Sequence, residues 1–334
     1  MATRIENGRT FNISAGERPK VLLLGNGIAR AFFNGGNWNN LIDKYIKDSK
    51  KFTEKSSQYI MPMPLKAEML SNNKLAAKIK KYKLEIASLP RKTPLDQIYL
   101  KELLKLNFDY ILTTNFTYEI ECALLNVTKI EIEKIEEMKT EIKNSSNPKP
   151  LCRFNKVTTE DSKTYDIWHI HGEPINFSTI ALGNEEYCKL VGQYDRWLNN
   201  RRKNLKNDEP LEIKSWIDAF VTGDVYILGF GMGLSEMDLW WLLQYKTKKL
   251  KKMSNFFGSS TFLDPIHCEN DPNPCRQAGF KNEDDCKMQL FDVFGVTVEN
   301  FGVEITTKED YLNFYDKAFE YLQEKIGNKP KISC

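Results

Sequence analysis

The sequence predicts an α/β fold: a parallel β-sheet with helices on both faces and a large helical insert. Three observations point there. Short β-rich runs recur along the chain, several of them are continuously apolar, and long helical patterns separate them. Strands buried on both faces read as unbroken apolar runs because neither side meets water. Strands that alternate with helices are joined by crossovers, and crossovers make neighbouring strands parallel.

In chain order the expected strands are Val21–Leu24 (VLLL), Tyr110–Thr113 (YILT), Ile167–Ile170 (IWHI), Val225–Leu228 (VYIL), Thr261–Leu263 (TFL) and Val296–Asn300 (VTVEN). About eighty residues, mostly helical by pattern, part the first two. Within them Asn73–Leu89 reads as one amphipathic helix ended by Pro90. Lys129–Lys143 interleaves Ile and Met with many charges and predicts a solvated helix or helical hairpin. Polar loops are expected at 144–150 and 201–210, and an irregular excursion with three prolines at 264–285. The run Asp238–Lys252 ends in five lysines within seven residues, which suits a helix C-terminus. Lys308–Ile326 carries Leu312, Tyr315, Phe319 and Leu322 on one face, as an amphipathic helix does. The expected division is an N-terminal segment at 1–18, one domain at 19–326 with helical inserts at about 44–106 and 120–160, and a tail at 327–334.

The 334 residues are 41% hydrophobic and 28% charged, which supports a sizeable core and excludes wholesale disorder. Against 45 acidic residues stand 48 basic ones, so charge gives no reason to expect nucleic acid. The most apolar stretch, Leu239–Leu243, is far too short to span a bilayer. The opening MATRIENGRT lacks the basic-then-apolar pattern of a signal peptide, so a cytoplasmic, non-membrane protein is expected. Seven cysteines include no CxxC pair, which argues against a disulfide framework and a zinc ribbon.

Glycine or a short polar group follows each of the first four expected strands. These are Gly25-Asn26-Gly27, Thr114-Asn115, His171-Gly172 and Gly229-Phe230-Gly231. In open α/β sheets ligands bind at the carboxyl ends of the strands, beside a topological switch point. The convergence therefore predicts a nucleotide-like ligand across the sheet edge. Gly25 and Gly27 would let backbone N–H groups approach a pyrophosphate. Each piece alone has a plainer reading. A lone GxG is an ordinary strand-to-helix turn, Asn115 is a helix cap, and Ser235 with Asp238 has the spacing of a capping box. His171 suits a general base because imidazole titrates near neutral pH. His169, two residues earlier, reads as a packed strand residue. The chain has three histidines, and with only His267 beyond these two and no carboxylate at metal spacing, no metal is expected. No GxSxG elbow is present, which disfavours a serine hydrolase.

Taken in order, LLLGNGIARAF with NWNNLI after it, YILTTNFTYEIE, IWHIHGE and YILGFGMGLSEMDLWWLL resemble the SIR2-like (sirtuin-fold) family, in particular the bacterial antiphage SIR2-domain NADases. The resemblance covers most of 19–326 and implies a Rossmann-like domain that takes NAD as substrate. It places Gly25, Asn26 and Gly27 at the phosphate-binding turn. Thr114 and Asn115 fall at the nicotinamide ribose, His171 at the catalytic base, and Gly229, Phe230, Gly231, Ser235 and Asp238 in the later nucleotide-proximal segment. Asn115 and His171 are thus the expected catalytic pair. The chain departs from the family pattern at Thr117, where an Asp is common, and it lacks the deacetylases' cysteine-rich zinc ribbon. Thr117 removes the carboxylate on which a family mechanism could lean, while the missing zinc ribbon, together with a long helical insert in place of a compact substrate-cleft module, favours plain NAD hydrolysis. Protein deacylation or ADP-ribosyl transfer, and non-catalytic nucleotide sensing, remain open alternatives. An NADase must be restrained, so a homo-oligomer is expected, with a separately encoded ATPase or sensor protein of a defence system as a second form of control.

Overall fold

A computed structural model describes residues 4–28, 64–65, 98–142, 149–201, 210–250, 252, 257–265, 282–305 and 307–327. The expected helix Asn73–Leu89, the run NWNNLI at 37–42, and His267, Cys268 and Cys275 of the proline-rich excursion lie outside these residues.

Strands β1 (Arg4–Glu6), β3 (Lys20–Leu24), β4 (Tyr110–Thr113), β5 (Lys139–Ile142), β6 (Arg153–Thr158), β7 (Thr164–His169), β9 (Asp224–Leu228), β10 (Ser260–Asp264) and β11 (Thr297–Asn300) form one sheet. Its spatial order is β1-β5-β6-β7-β4-β3-β9-β10-β11. Two short strands, β2 (Thr10–Phe11) and β8 (Leu211–Glu212), pair separately. All six expected strands are present, five of them with an end shifted by one to three residues.

The sheet is mixed, which corrects the expectation of a parallel one. From β7 to β11 every neighbouring pair is parallel, but β6 is antiparallel to both β5 and β7. The reason is connection length. Only Thr159–Lys163 joins β6 to β7, closed by the Thr159 N–H on the Lys163 carbonyl at 2.9 Å. A parallel return needs a crossover of a dozen residues or more. Lys129–Lys143 also corrects its expectation. Among its described residues only Ile132–Met138 is helical, and the chain then runs directly into β5, whose residues are alternately half-buried and buried.

Side chains alternate between two cores, one on each face of the sheet. Val21, Leu23, Tyr110, Leu112, Val225 and Ile227 point into one. Leu22, Leu24, Ile111, Tyr226 and Leu228 point into the other. The first core is closed by α4 (Asn184–Arg201), α5 (Trp216–Thr222), α6 (Met237–Leu250) and α7 (Asn282–Val293). The second is closed by α1 (Ile98–Leu104), α2 (Glu119–Leu124), α3 (Ile132–Met138) and α8 (Lys308–Ile326). Val21, Leu22 and Leu23 are fully buried, each contributing roughly 1.5–3 kcal/mol. This double burial is why VLLL shows no polar alternation.

Helix α8 spans the predicted residues. Thr307 starts it with a capping box, its hydroxyl accepting from the Asp310 N–H while the Asp310 carboxylate accepts from the Thr307 N–H. Its buried face is Phe314, Tyr315, Ala318 and Leu322, so the aromatic side of this helix belongs to the core. Among the described residues no helix is long and apolar enough to cross a membrane.

From β3 the chain builds β4 and β7 on one side and later β9, β10 and β11 on the other. The order reverses between β3 and β9. That is the switch point beside which α/β sheets place their ligands.

Candidate active site

The carboxyl ends of β3, β4, β7 and β9 open into one cleft of about 440 Å³, a volume within the usual range for small-molecule sites. Asn26, Gly27, Thr114, Asn115, His171, Gly229, Phe230, Gly231 and Ser235 all line it. These positions are scattered over more than two hundred residues of sequence. Gly25 and Asp238 do not line the cleft; both lie behind its wall.

The first two glycines are explained by packing. A Cβ on Gly25 would stand 2.5 Å from the Gly229 carbonyl oxygen, and one on Gly27 would stand 2.6 Å from the same atom. The Gly25 N–H donates to the Leu228 carbonyl at 3.0 Å and the Gly27 N–H to the Gly229 carbonyl at 2.6 Å. Both donors are used inside the protein, which corrects the expectation that they cradle a pyrophosphate. What the glycines permit is the contact of two turns, 25–27 and 229–230, at the switch point. Gly231 differs: it lines the cleft, and nothing lies within 4 Å of where its Cβ would stand. The next residue, Met232, is buried with φ of +45°, so the segment after β9 holds a strained left-handed turn.

Asn115 is held at three of its polar atoms. Its N–H donates to Thr113 Oγ1 at 3.0 Å, its carbonyl faces His169 Nδ1 at 2.7 Å, and its Nδ2 donates to the Gly25 carbonyl at 3.4 Å. The carboxamide oxygen is left for the cleft. Thr117, where the family pattern has Asp, donates its hydroxyl to the Glu119 carboxylate and does not line the cleft.

His171 follows the end of β7 and is buried. Gly172 sets its direction. Gly172 has φ of +96°, and a Cβ there would meet the Thr179 carbonyl at 2.2 Å, so no other residue fits the turn. His171 Nε2 lies 3.0 Å from Asp238 Oδ2, which also accepts from Tyr194 Oη at 3.1 Å. The ring of Tyr187 stands edge-on to the imidazole, 5.3 Å between centroids. Burial opposes charge on His171, but the charge and hydrogen bond of Asp238 outweigh it and raise the imidazole above its ordinary pKa. Burial first, and the nearby carboxylates second, lift Tyr187 and Tyr194 well above the ordinary phenol value, so both remain donors. Asp238 thus turns its carboxylate to His171 and Tyr194, and the capping-box alternative for Ser235 and Asp238 gives way to an Asp–His pair.

Sequence reasoning missed Tyr187, Glu236 and Lys287, which also line the cleft. Burial, with Asp238 adding repulsion, lifts the Glu236 carboxyl to about 7 against the opposing pull of His171. Only Glu236 had a signal, its place inside GMGLSEMD. Tyr187 and Lys287 reach the cleft from helix faces with no motif.

His171, Glu236 and Asp238 bring ligand-type atoms within 4.8 Å of one another, a donor set that could hold a divalent cation. The expectation of no carboxylate at metal spacing counted positions along the chain, whereas these carboxylates arrive through the fold. Among the described residues Cys122 and Cys152 are buried free thiols, and Cys188 and Cys286 are exposed ones.

His169 also departs from its plain reading. Its Nε2 lies 3.0 Å from Glu121 Oε1, and both side chains are almost wholly buried. Burial disfavours its charge, but the Glu121 carboxylate reverses the balance and raises the imidazole pKa.

No protein-family model matches this chain, and no curated protein is significantly similar to it.

Proposed function

We propose that the chain is an NAD⁺ glycohydrolase that cleaves the nicotinamide–ribose bond with water, giving nicotinamide, ADP-ribose and a proton. The observation that carries the reading is the meeting of Asn115 and the Asp238-paired His171 in one cleft at the switch point between β3 and β9. The ordered resemblance to SIR2-like NADases supports it from the sequence side.

Breaking the glycosidic bond develops positive charge on the ribose, and contacts that strengthen as that charge grows accelerate the step. In this reading Asn115 Oδ1 orients a ribose hydroxyl or the incoming water. His171 takes the proton released as water adds, and Asp238 stabilises the imidazolium so formed. Glu236, which also lines the cleft, adds a second acidic group beside His171. Gly231 leaves room for the nucleotide backbone.

Incubation with NAD⁺, followed by separation of nicotinamide and ADP-ribose, tests the proposal. Turnover without any acyl-lysine substrate is expected. Turnover only with an acyl-lysine peptide would make the chain a deacylase, and saturable binding without turnover would make it a sensor.

Such an activity requires restraint, and we further propose control through self-assembly or a separately encoded partner. Of the helical surfaces that could serve in this, the insert at 44–106 lies largely outside the described residues, and the aromatic face of α8 is already used by the core. Light scattering with NAD⁺ cleavage measured on the same samples checks the proposal. A strict monomer at full rate without a partner would refute it.

A further inference from the structure

We infer that His169 is a positioning residue: with Glu121 it forms a buried ion pair that holds the Asn115 peptide in its working orientation. For its activity readout this rests on the function proposed above; its structural readout does not.

His169 ends β7, and the Gly172 N–H closes a turn onto its carbonyl at 3.1 Å. The turn breaks strand alternation, so the two histidines meet different partners. His171 reaches Asp238 on α6, whereas His169 reaches Glu121 on α2. Both ring nitrogens of His169 face acceptors: the Asn115 carbonyl at 2.7 Å and Glu121 Oε1 at 3.0 Å. A carbonyl oxygen cannot donate. Glu121 Oε1 already accepts from Asn155 Nδ2 at 2.7 Å, as a carboxylate does. The arrangement calls for an N–H on each nitrogen and therefore an imidazolium against a carboxylate. The Tyr118 ring packs edge-on against the imidazole at 5.3 Å, and the two charged side chains are 2% and 0% exposed. Two buried charges placed this tightly, one of them aimed at a peptide carbonyl, are costly unless held by all their partners.

The carbonyl in question belongs to Asn115. The Thr113 hydroxyl holds its N–H, the Gly25 carbonyl holds its carboxamide nitrogen, and His169 holds its peptide oxygen. The first two bonds leave the peptide after Asn115 free to turn; the third does not. A shift of about 1 Å in a group that orients a substrate can cost on the order of 100-fold in rate.

The test compares H169N with H169Q, and E121A with E121Q. An Asn amide nitrogen sits close to where His Nδ1 sits, so H169N retains a donor for the Asn115 carbonyl. A Gln amide reaches toward the Nε2 position and leaves that carbonyl unmet. E121Q can donate to Nε2 of a neutral His169 that still donates from Nδ1, with the Asn155 amide turned so that its otherwise unmet Oδ1 faces the new amide nitrogen. The expected result is that H169Q and E121A lose on the order of 100-fold in kcat with KM changed only a few-fold, while H169N and E121Q keep most of kcat. The double variant H169Q/E121A should be no worse than H169Q, because the two residues act as one unit. Amide hydrogen exchange over 114–118 should speed up in H169Q and E121A and stay near wild type in H169N and E121Q. Equal kcat in H169N and H169Q, or unchanged exchange over 114–118 in a folded H169Q, overturns the inference. If the wild-type protein cleaves no NAD⁺, the proposed function falls, and the exchange pattern alone then decides the role of His169.

Discussion

His171 and Asp238 are sixty-seven residues apart in sequence and 3.0 Å apart in space, Nε2 to Oδ2. The pair joins the end of β7 to the first turn of α6. It gives the cleft a buried imidazole whose partner stabilises its protonated form, as a base that must gain a proton requires.

Replacing His171 or Asn115 with Ala should reduce NAD⁺ cleavage by at least ~100-fold while the fold survives, the range expected for loss of a general base. Activity assays paired with thermal melts check this. A folded H171A enzyme at near wild-type rate would remove His171 from the mechanism.

The pH dependence follows from the raised His171 pKa. A base works only unprotonated, so kcat/KM should fall on the acid side with a midpoint above the ordinary 6.5. D238N removes the charge that raises it and should move the midpoint down, leaving burial to dominate. The same shift has a stability consequence of opposite sense. A raised imidazole pKa contributes stability that is complete below the unfolded value of 6.5 and is lost as pH rises through the folded value. Melting temperature should therefore decline with pH just above 6.5, where activity climbs. A rate profile whose acid midpoint is unmoved in D238N would contradict the assignment.

Chelators should leave NAD⁺ cleavage intact, and elemental analysis should find no stoichiometric zinc. His171, Glu236 and Asp238 are close enough to share an ion, but His171 Nε2 is already engaged with Asp238. One tightly held metal per chain, with activity lost on its removal, would assign these residues to a metal centre instead.

G27A should destabilise the protein by about 1–3 kcal/mol, the usual penalty for overpacking. The new Cβ would stand 2.6 Å from the Gly229 carbonyl oxygen and 2.7 Å from the Gly229 Cα, both backbone atoms that cannot swing away. Denaturant titration measures it, and an unchanged midpoint would mean the two turns part freely.

Much of the frame was readable from sequence because its physics is local. VLLL, YILT and VYIL are apolar at every position, and only a strand covered on both faces needs that. Thr307 and Asp310 announce the start of α8 within four residues. The strands beyond β7 on one side of the sheet, β1, β5 and β6, were not readable. In β5 the residues Lys139 and Glu141 are only half-covered, so KTEI carries the same charge density as the helix before it. Its strand state depends on pairing with β1 and β6, which come from before and after it in the chain.

The cleft divides the same way. The sequence by itself determined which strand ends carry glycine, Asn and His, because strand ends and tight turns are written in short-range pattern. Only the tertiary structure decided their partners: Asp238 behind His171, Glu121 behind His169, and Gly229 against Gly25 and Gly27. Those contacts join residues 48 to 204 positions apart. A carboxylate's role is set by what it faces across a buried boundary, and the sheet order that brings such residues together is a property of the packed chain, not of any window along it.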